Sequence, residues 1–145
     1  MSIKFKIVTP DIPSKGIFGS FVEILDRKKR VVSETIKDLL LEYARHGHLS
    51  SDGKHYRPRS GNLQSATKVK GGIETEITLY VDTSEAQYAG YIMEGKRKSP
   101  RSGTVTFNGG KGDPFLQEAL DYHAVTIAKL VEDMWNEAIL EWNIS

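Results

Sequence analysis

Ser65-Ala66-Thr67-Lys68-Val69-Lys70-Gly71-Gly72-Ile73-Glu74-Thr75-Glu76-Ile77-Thr78-Leu79-Tyr80-Val81 is the stretch from which the fold can first be read. Ser65 to Lys70 and Ile73 to Val81 read as two strands. Gly71-Gly72 between them tolerates the positive φ angles of a tight turn. On the second strand Ile73, Thr75, Ile77, Leu79 and Val81 share one face, and Glu74, Glu76, Thr78 and Tyr80 share the other. One covered face and one wet face predict an antiparallel sheet. Upstream, Ile3, Phe5 and Ile7 alternate with lysines, which predicts another short half-buried strand.

Helical periodicity dominates the flanks. Pro10 and Pro13 break the first strand into a loop ending near Gly19, and Ser20-Phe21-Val22-Glu23 fits a capping box. A helix is predicted from there to about Arg45, with Gly47 free to adopt the left-handed closing conformation. Its apolar stripe is Phe21, Ile24, Leu25, Val32, Ile36, Leu39, Leu40 and Tyr43. Lys28 falls on that stripe, so either the helix bends or breaks there, or this turn faces solvent or a partner. His48 to Ser60, with Pro58, reads as a loop. Ser84-Glu85-Ala86-Gln87 is a second capping box, predicting a short helix that ends before Gly95.

The segment from Gly95 to Gly112 has five glycines and weak periodicity, apart from a short strand at Thr104 to Phe107. It reads as a mobile basic loop, of a length uncommon in compact domains unless it binds something. Asp113-Pro114 then opens a last helix, with Asp113 capping and Pro114 at a position where its missing amide costs nothing. Phe115, Leu116, Ala119, Leu120, Ile127, Leu130, Val131, Met134, Trp135, Ala138 and Ile139 carry its apolar face almost to the C-terminus. Such a helix is roughly 40 Å long.

Composition bounds the possibilities. At 145 residues, 39% hydrophobic and 27% charged, the chain fits one domain, residues 1–145, able to build a core. The net charge of +1 says nothing about partners, but its distribution does. Lys96, Arg97, Lys98, Arg101 and Lys111 face no acid between Gly95 and Gly112, whereas seven acids follow from Asp113 onward against Lys129 alone. A basic loop and an acidic helix suit contacts between neighbouring subunits, or two solvated faces. The absence of cysteine excludes disulfides and thiolate chemistry. There is no signal-peptide core and no apolar run long enough for a membrane span, which predicts a soluble cytoplasmic product.

Candidate chemical constellations are sparse. His46, His48, His55 and His123 match no zinc-ligand spacing. Gly109-Gly110-Lys111-Gly112 lacks the hydroxyl residue after lysine that a nucleotide loop needs, and Asp113 would repel phosphate. No metal, cofactor or catalytic group is expected, nor is an enzyme. Arg27-Lys28-Lys29-Arg30 shares its helix with Glu23, Asp26, Glu34 and Asp38, so a solvated face is the simpler reading. The bases from Lys96 to Lys111 are better placed for phosphate or for an acidic protein surface. Phe115, Leu116, Leu120, Trp135 and Trp142 form either core or a docking face, and the exposure of Trp142 discriminates between the two.

Three ordered motifs give a more specific clue: Arg59-Ser60-Gly61-Asn62-Leu63-Gln64-Ser65, Gln87-Tyr88-Ala89-Gly90-Tyr91-Ile92-Met93-Glu94-Gly95, and Asp113-Pro114-Phe115-Leu116-Gln117-Glu118-Ala119-Leu120. Together they resemble the tail-completion, or head–tail joining (neck), proteins of long-tailed bacteriophages, over about Leu39 to Tyr122. The matching positions include Gly61, Leu63 and Ser65, then Tyr88, Ala89, Tyr91 and Gly95, then Pro114, Phe115 and Leu116. Ser60 stands where threonine is usual, Lys96 where threonine is common, and Glu118 where a second proline is common. The stretch from Lys96 to Gly112 has no counterpart in the resemblance.

The resemblance implies an α+β subunit whose small antiparallel β-sheet packs against a long N-terminal helical segment and a long C-terminal helix. It implies a homo-oligomeric ring, commonly a hexamer, between the head-completion or connector protein and the tail tube protein. DNA passes through the lumen of such a ring, which belongs to the virion neck and is assembled in the host cytoplasm. On the charge pattern, docking or lumen contact is expected at Lys96, Arg97, Lys98, Arg101 and Lys111, while Tyr88, Tyr91 and Phe115 are expected to hold the subunit together. The alternative is a small DNA-binding or regulatory module using the two basic stretches.

Overall fold

The computed structural model describes residues 2–8, 12–13, 16–47, 61–73, 76–86, 96–99, 103–106 and 114–144. Two long helices form its frame: α1, Gly19–His46, and a C-terminal helix of 30 residues, Phe115–Ile144. Between them in sequence lie a short helix α2 (Gly61–Ala66) and strands β2 (Thr67–Lys70), β3 (Ile77–Val81), β4 (Lys96–Ser99) and β5 (Gly103–Thr106). The C-terminal helix is therefore α3, and the N-terminal strand, Ser2–Phe5, is β1. The architecture is α+β, with one antiparallel sheet in the order β1-β3-β2 and a separate two-stranded ladder of β4 and β5.

Helices α1 and α3 run antiparallel. Tyr43 near the end of α1 stacks on Tyr122 near the start of α3, with ring centroids 4.8 Å apart. At the other end Phe21 meets Trp142 at 5.4 Å. The sheet covers the first of these ends. There Ile36, Leu40, Ile77, Leu79, Phe115, Leu116 and Leu63 join one core in which every member is almost or wholly inaccessible. Each such side chain contributes about 1.5–3 kcal/mol by leaving water. A second cluster, of Phe21, Leu25, Ile73, Met134 and Ala138, continues the interior toward the far end.

The sheet follows the alternation read from the sequence, with one exception. Ile3 and Val69 lie opposite Leu79 on either side, and Phe5 lies opposite Ile77, all on the face turned to the helices. On the outer face Thr78 is flanked by Lys4 and Lys70, and is buried rather than wet. Long lysine stems beside a short central threonine cover it while their ammonium groups stay in solvent. Lys70 also places its ammonium 5.1 Å from the Tyr80 ring centroid.

Polar contacts fix the sheet on α1. The Arg45 guanidinium donates from Nε and Nη2 to the Thr67 carbonyl at 3.1 and 2.9 Å. The Thr67 hydroxyl donates to the Leu63 carbonyl at 2.7 Å. The Ile73 amide donates to the buried Ser33 hydroxyl at 3.1 Å, so the chain leaving β2 is held against the middle of α1.

Several local expectations are corrected. The connection between β2 and β3 is not a two-residue turn at Gly71-Gly72, because Lys70 pairs with Thr78 and the chain from 71 to 77 lies between them. Gly71 is nonetheless required: its φ is +98°, and a Cβ there would sit 1.9 Å from the Glu76 carbonyl oxygen. Gly61, Leu63 and Ser65 belong to α2, so the first motif is a helical turn and the strand begins at Thr67, not Ser65. Glu74 and Thr75 lie outside the described residues.

The first capping box fails in detail. Helix α1 starts two residues early, with Phe18 rather than Ser20 at the cap, and the Ser20 hydroxyl instead accepts a hydrogen bond from Trp142 Nε1 at 3.1 Å. A contact from the opposite end of the chain has taken the local cap's oxygen. Asp82 to Ala86 form a turn, in which Asp82 Oδ1 accepts from the Ser84 amide and hydroxyl at 3.0 and 2.6 Å, and Gln87 lies outside the described residues. The helix expected after it falls outside the described residues, as does Asp113. Pro114 occupies the cap position of α3, its carbonyl accepting from the Glu118 amide at 3.0 Å. Gly47 does close α1, at φ 77°, its amide donating to the Tyr43 carbonyl at 2.7 Å.

Candidate docking surfaces

The basic stretch expected as a loop contains two strands, not one. Lys96, Arg97 and Lys98 lie on β4, opposite Thr106, Val105 and Thr104 of β5. The strand expected near Thr104 is thus present, and the preceding bases are its partner. Threonine and valine favour a strand. Arg101 and Lys111 lie outside the described residues, as do Tyr88, Ala89, Tyr91 and Gly95.

The third motif divides sharply. Phe115 and Leu116 have no exposed surface, whereas Pro114 is exposed. From the first motif, Leu63 is buried in the same core and Ser65 is exposed. The five apolar residues weighed as one docking face therefore separate. Phe115, Leu116 and Leu120 serve the interior, while Trp135 and Trp142 line an open cleft at the far end of the helix pair.

That cleft encloses about 380 Å³ between Ile12, Pro13, Phe18 and Phe21 on one side and Trp135, Ile139 and Trp142 on the other. Phe18 packs 5.9 Å from Trp142, and Phe21 lies 6.0 Å from Trp135. The tilted rings leave an apolar recess instead of filling it. Ile17, Leu140 and Ile144 nearby in sequence are strongly exposed. Such a recess holds apolar groups by burial and shape, without reactive chemistry. The tryptophans carried a signal in the sequence, but Phe18 did not, since it precedes the helical stripe.

A second cleft, of about 340 Å³, separates α1 from α3. Val31, Val32, Leu130 and Met134 supply its apolar lining; Arg27 and Lys28 stand on the α1 side, and Asp133 and Glu137 on the α3 side. Val31 lies two residues from Ser33, about 200° around the helix, so this groove opens away from the sheet.

The same charges resolve the anomaly of Lys28. The helix is unbroken there, and the Lys28 ammonium lies 3.1 Å from Glu141 and 4.0 Å from Glu137. Arg27 also pairs with Glu141. The Lys28 hydrogen bond, with the Arg27 charge beside it, holds the Glu141 carboxyl below its ordinary pKa. Arg27 and Lys28 of the basic run are thus committed to carboxylates of the same chain.

The histidines divide too. His46 is 3.9 Å from Glu42 in the last turn of α1, and His48 and His55 lie outside the described residues. His123 stands edge-on to Tyr43 and Tyr122 at 5.8 and 4.9 Å, and its burial lowers its pKa. Among the described residues no group of three or more His, Cys, Asp or Glu is placed to hold a metal ion. No described helix is long and apolar enough to cross a membrane. No protein-family model, curated protein or solved structure matches the chain.

Proposed function

We propose that this chain is a structural virion protein that completes a phage tail and joins it to the head connector, as a subunit of a ring around the DNA channel. The observation that carries the reading is the meeting of Leu63, Phe115 and Leu116 in one core beneath the β1-β3-β2 sheet. Two motifs that are separated in sequence and resemble the joining family thus specify the interior of one α+β subunit. Function then lies in contacts made by the aromatic cleft between the helix ends and by the basic stretch that includes β4. Ring symmetry turns such individually weak contacts into a strong attachment. Its partners are further copies of itself, the head-completion or connector protein, the tail tube protein and the DNA in the lumen.

Deleting the reading frame from its parent genome and imaging the lysate by negative-stain electron microscopy tests the role. Full heads beside separate, finished or overlong tails are the expected outcome. Intact virions would overturn it. In that case duplex-DNA binding by the purified protein, with a steep dependence on salt, would identify a DNA-binding module instead. Neutralising Lys96, Arg97, Lys98 and Arg101 together is expected to reduce joining. Wild-type particle yields would remove those bases from the docking assignment.

A further inference from the structure

The β1-β3-β2 sheet turns Ile3, Phe5, Val69, Ile77 and Leu79 toward the helices, so the alternate residues form its outer face. In register across that face stand Ser2, Tyr80 and Lys68, then Lys4, Thr78 and Lys70. Lys6 extends the β1 row, because Ile7 beside it packs inward and Lys6 itself is exposed. The lysines differ in what they meet. Lys68 is held within the chain, by Glu85 at 2.7 Å and Asp82 at 3.6 Å. Lys4 is exposed and only 4.0 Å from Glu76. Among the described residues no carboxylate pairs with Lys6 or Lys70. Lys70 instead places its ammonium 5.1 Å from the Tyr80 ring centroid. Three exposed ammonium groups therefore surround a half-buried ring, with Glu76 beside them.

We propose that this face is a weak binding site for single-stranded nucleic acid, with Lys4, Lys6 and Lys70 on phosphates and Tyr80 against a base. The charge selects a polyanion. Lys4 and Lys6 stand about 6.6 Å apart along one strand, and Lys70 lies about 10 Å across the sheet from Lys4. A phosphodiester chain laid along β1 meets Lys4 and Lys6 in turn, and its bases fall over β3, where Tyr80 lies. Lys70, already beside the ring, supplies a cation next to the stacked base. The ring selects the single strand, because a paired base keeps its faces inside the duplex. An aromatic side chain among cations is the combination that holds single strands without reading their sequence. Ser2 and Thr78 between the lysines are small and polar, so the grid offers no apolar pocket in which a protein segment could anchor. The inference does not rest on the joining role, and it uses none of the bases of β4.

The test is fluorescence anisotropy of a short fluorescein-labelled oligothymidine titrated with the full chain at low salt, with circular dichroism to verify the fold of each variant. Binding in the micromolar range is expected. Its logarithm should fall against log salt with a slope of about −2, as for three phosphates neutralised on a single strand. Lys6→Glu together with Lys70→Glu is expected to weaken binding about tenfold or more. Tyr80→Thr keeps a strand-forming residue but removes the ring, and is expected to cost about tenfold, whereas Tyr80→Phe retains the affinity. Replacing Lys96, Arg97 and Lys98 by glutamine should leave the dependence on Tyr80 in place. No binding at low salt, an unchanged affinity in Tyr80→Thr, or tighter binding of a duplex that ignores Tyr80→Thr would each overturn the proposal. Competition by polyglutamate as effective as by unlabelled oligothymidine would overturn it too, in favour of an acidic protein surface. None of these failures touches the joining role, which is read from the particles in the lysate.

Discussion

The two ends of the α1–α3 pair carry similar apolar side chains to different fates. At the sheet-covered end Ile36, Leu40, Phe115 and Leu116 have no exposed surface. At the open end Phe18 is 38% exposed, Ile139 is 44% exposed, and four aromatic rings border an empty recess. Phe21, Leu25, Met134 and Ala138 are still buried toward this end, but no described strand of the sheet packs over the residues beside them. The comparison teaches that apolar periodicity in a long helix reports what can be buried, while the reach of the neighbouring layer decides what is. An aromatic stripe extending past its sheet is thereby left lining an open recess.

Mutations can break this contrast. Phe115→Ala, at the covered end, is expected to cost about 3–5 kcal/mol in urea denaturation, as for other wholly buried aromatics. Gly71→Ala is expected to cost about 1–3 kcal/mol, because a methyl group there meets the Glu76 carbonyl and the backbone φ is positive. Trp142→Ala, at the open end, should cost only about 1–2 kcal/mol, from its lost contacts with Phe18 and Phe21. A loss equal to that of Phe115→Ala would show that the open end is core after all.

Acid should soften the two ends in different windows. At the covered end, burial favours neutral His123, so between its lowered value and its ordinary 6.5 the unfolded chain binds more protons. Stability there rises with pH and is lost as pH falls below 6.5 toward the lowered value; thermal melts of His123→Gln should lack that segment. At the open end Glu141 is held below its ordinary 4.5 by Lys28 and Arg27. Its contribution is present above 4.5 and is lost only as pH falls further. Glu141→Gln should give the smallest effect of the set, reduced again by salt, since this pair is solvent-exposed.

What the sequence disclosed follows the same division. The long helices, the strands carrying Ile3, Phe5, Ile77, Leu79 and Val81, and the burial of Phe115 were legible because periodicity records burial directly. Contacts between remote segments were not. Ser20 looked like a local cap, yet its hydroxyl is bound by Trp142, 122 residues away. Lys28 interrupted the stripe for no local reason, and its partners lie on α3. Gly71-Gly72 suggested a tight turn, but register depends on the strand across the sheet, where Lys70 meets Thr78. The clefts could be read only in part, because a recess is defined by what two elements fail to fill. The tryptophans gave half of one, and the spacing of α1 and α3 gives the other.

The order β1-β3-β2 has a consequence for solubility. Ile77-Thr78-Leu79-Tyr80-Val81 is uncharged and rich in β-forming residues, the kind of segment that stacks with copies of itself into cross-β aggregates. It is enclosed between two strands that carry lysine at Lys4, Lys68 and Lys70. The strands left at the edges of the sheet are therefore the charged ones, which discourage further strand addition. Ser2 to Phe5 thus act as a gatekeeper: while they are paired, the sticky strand has no open side.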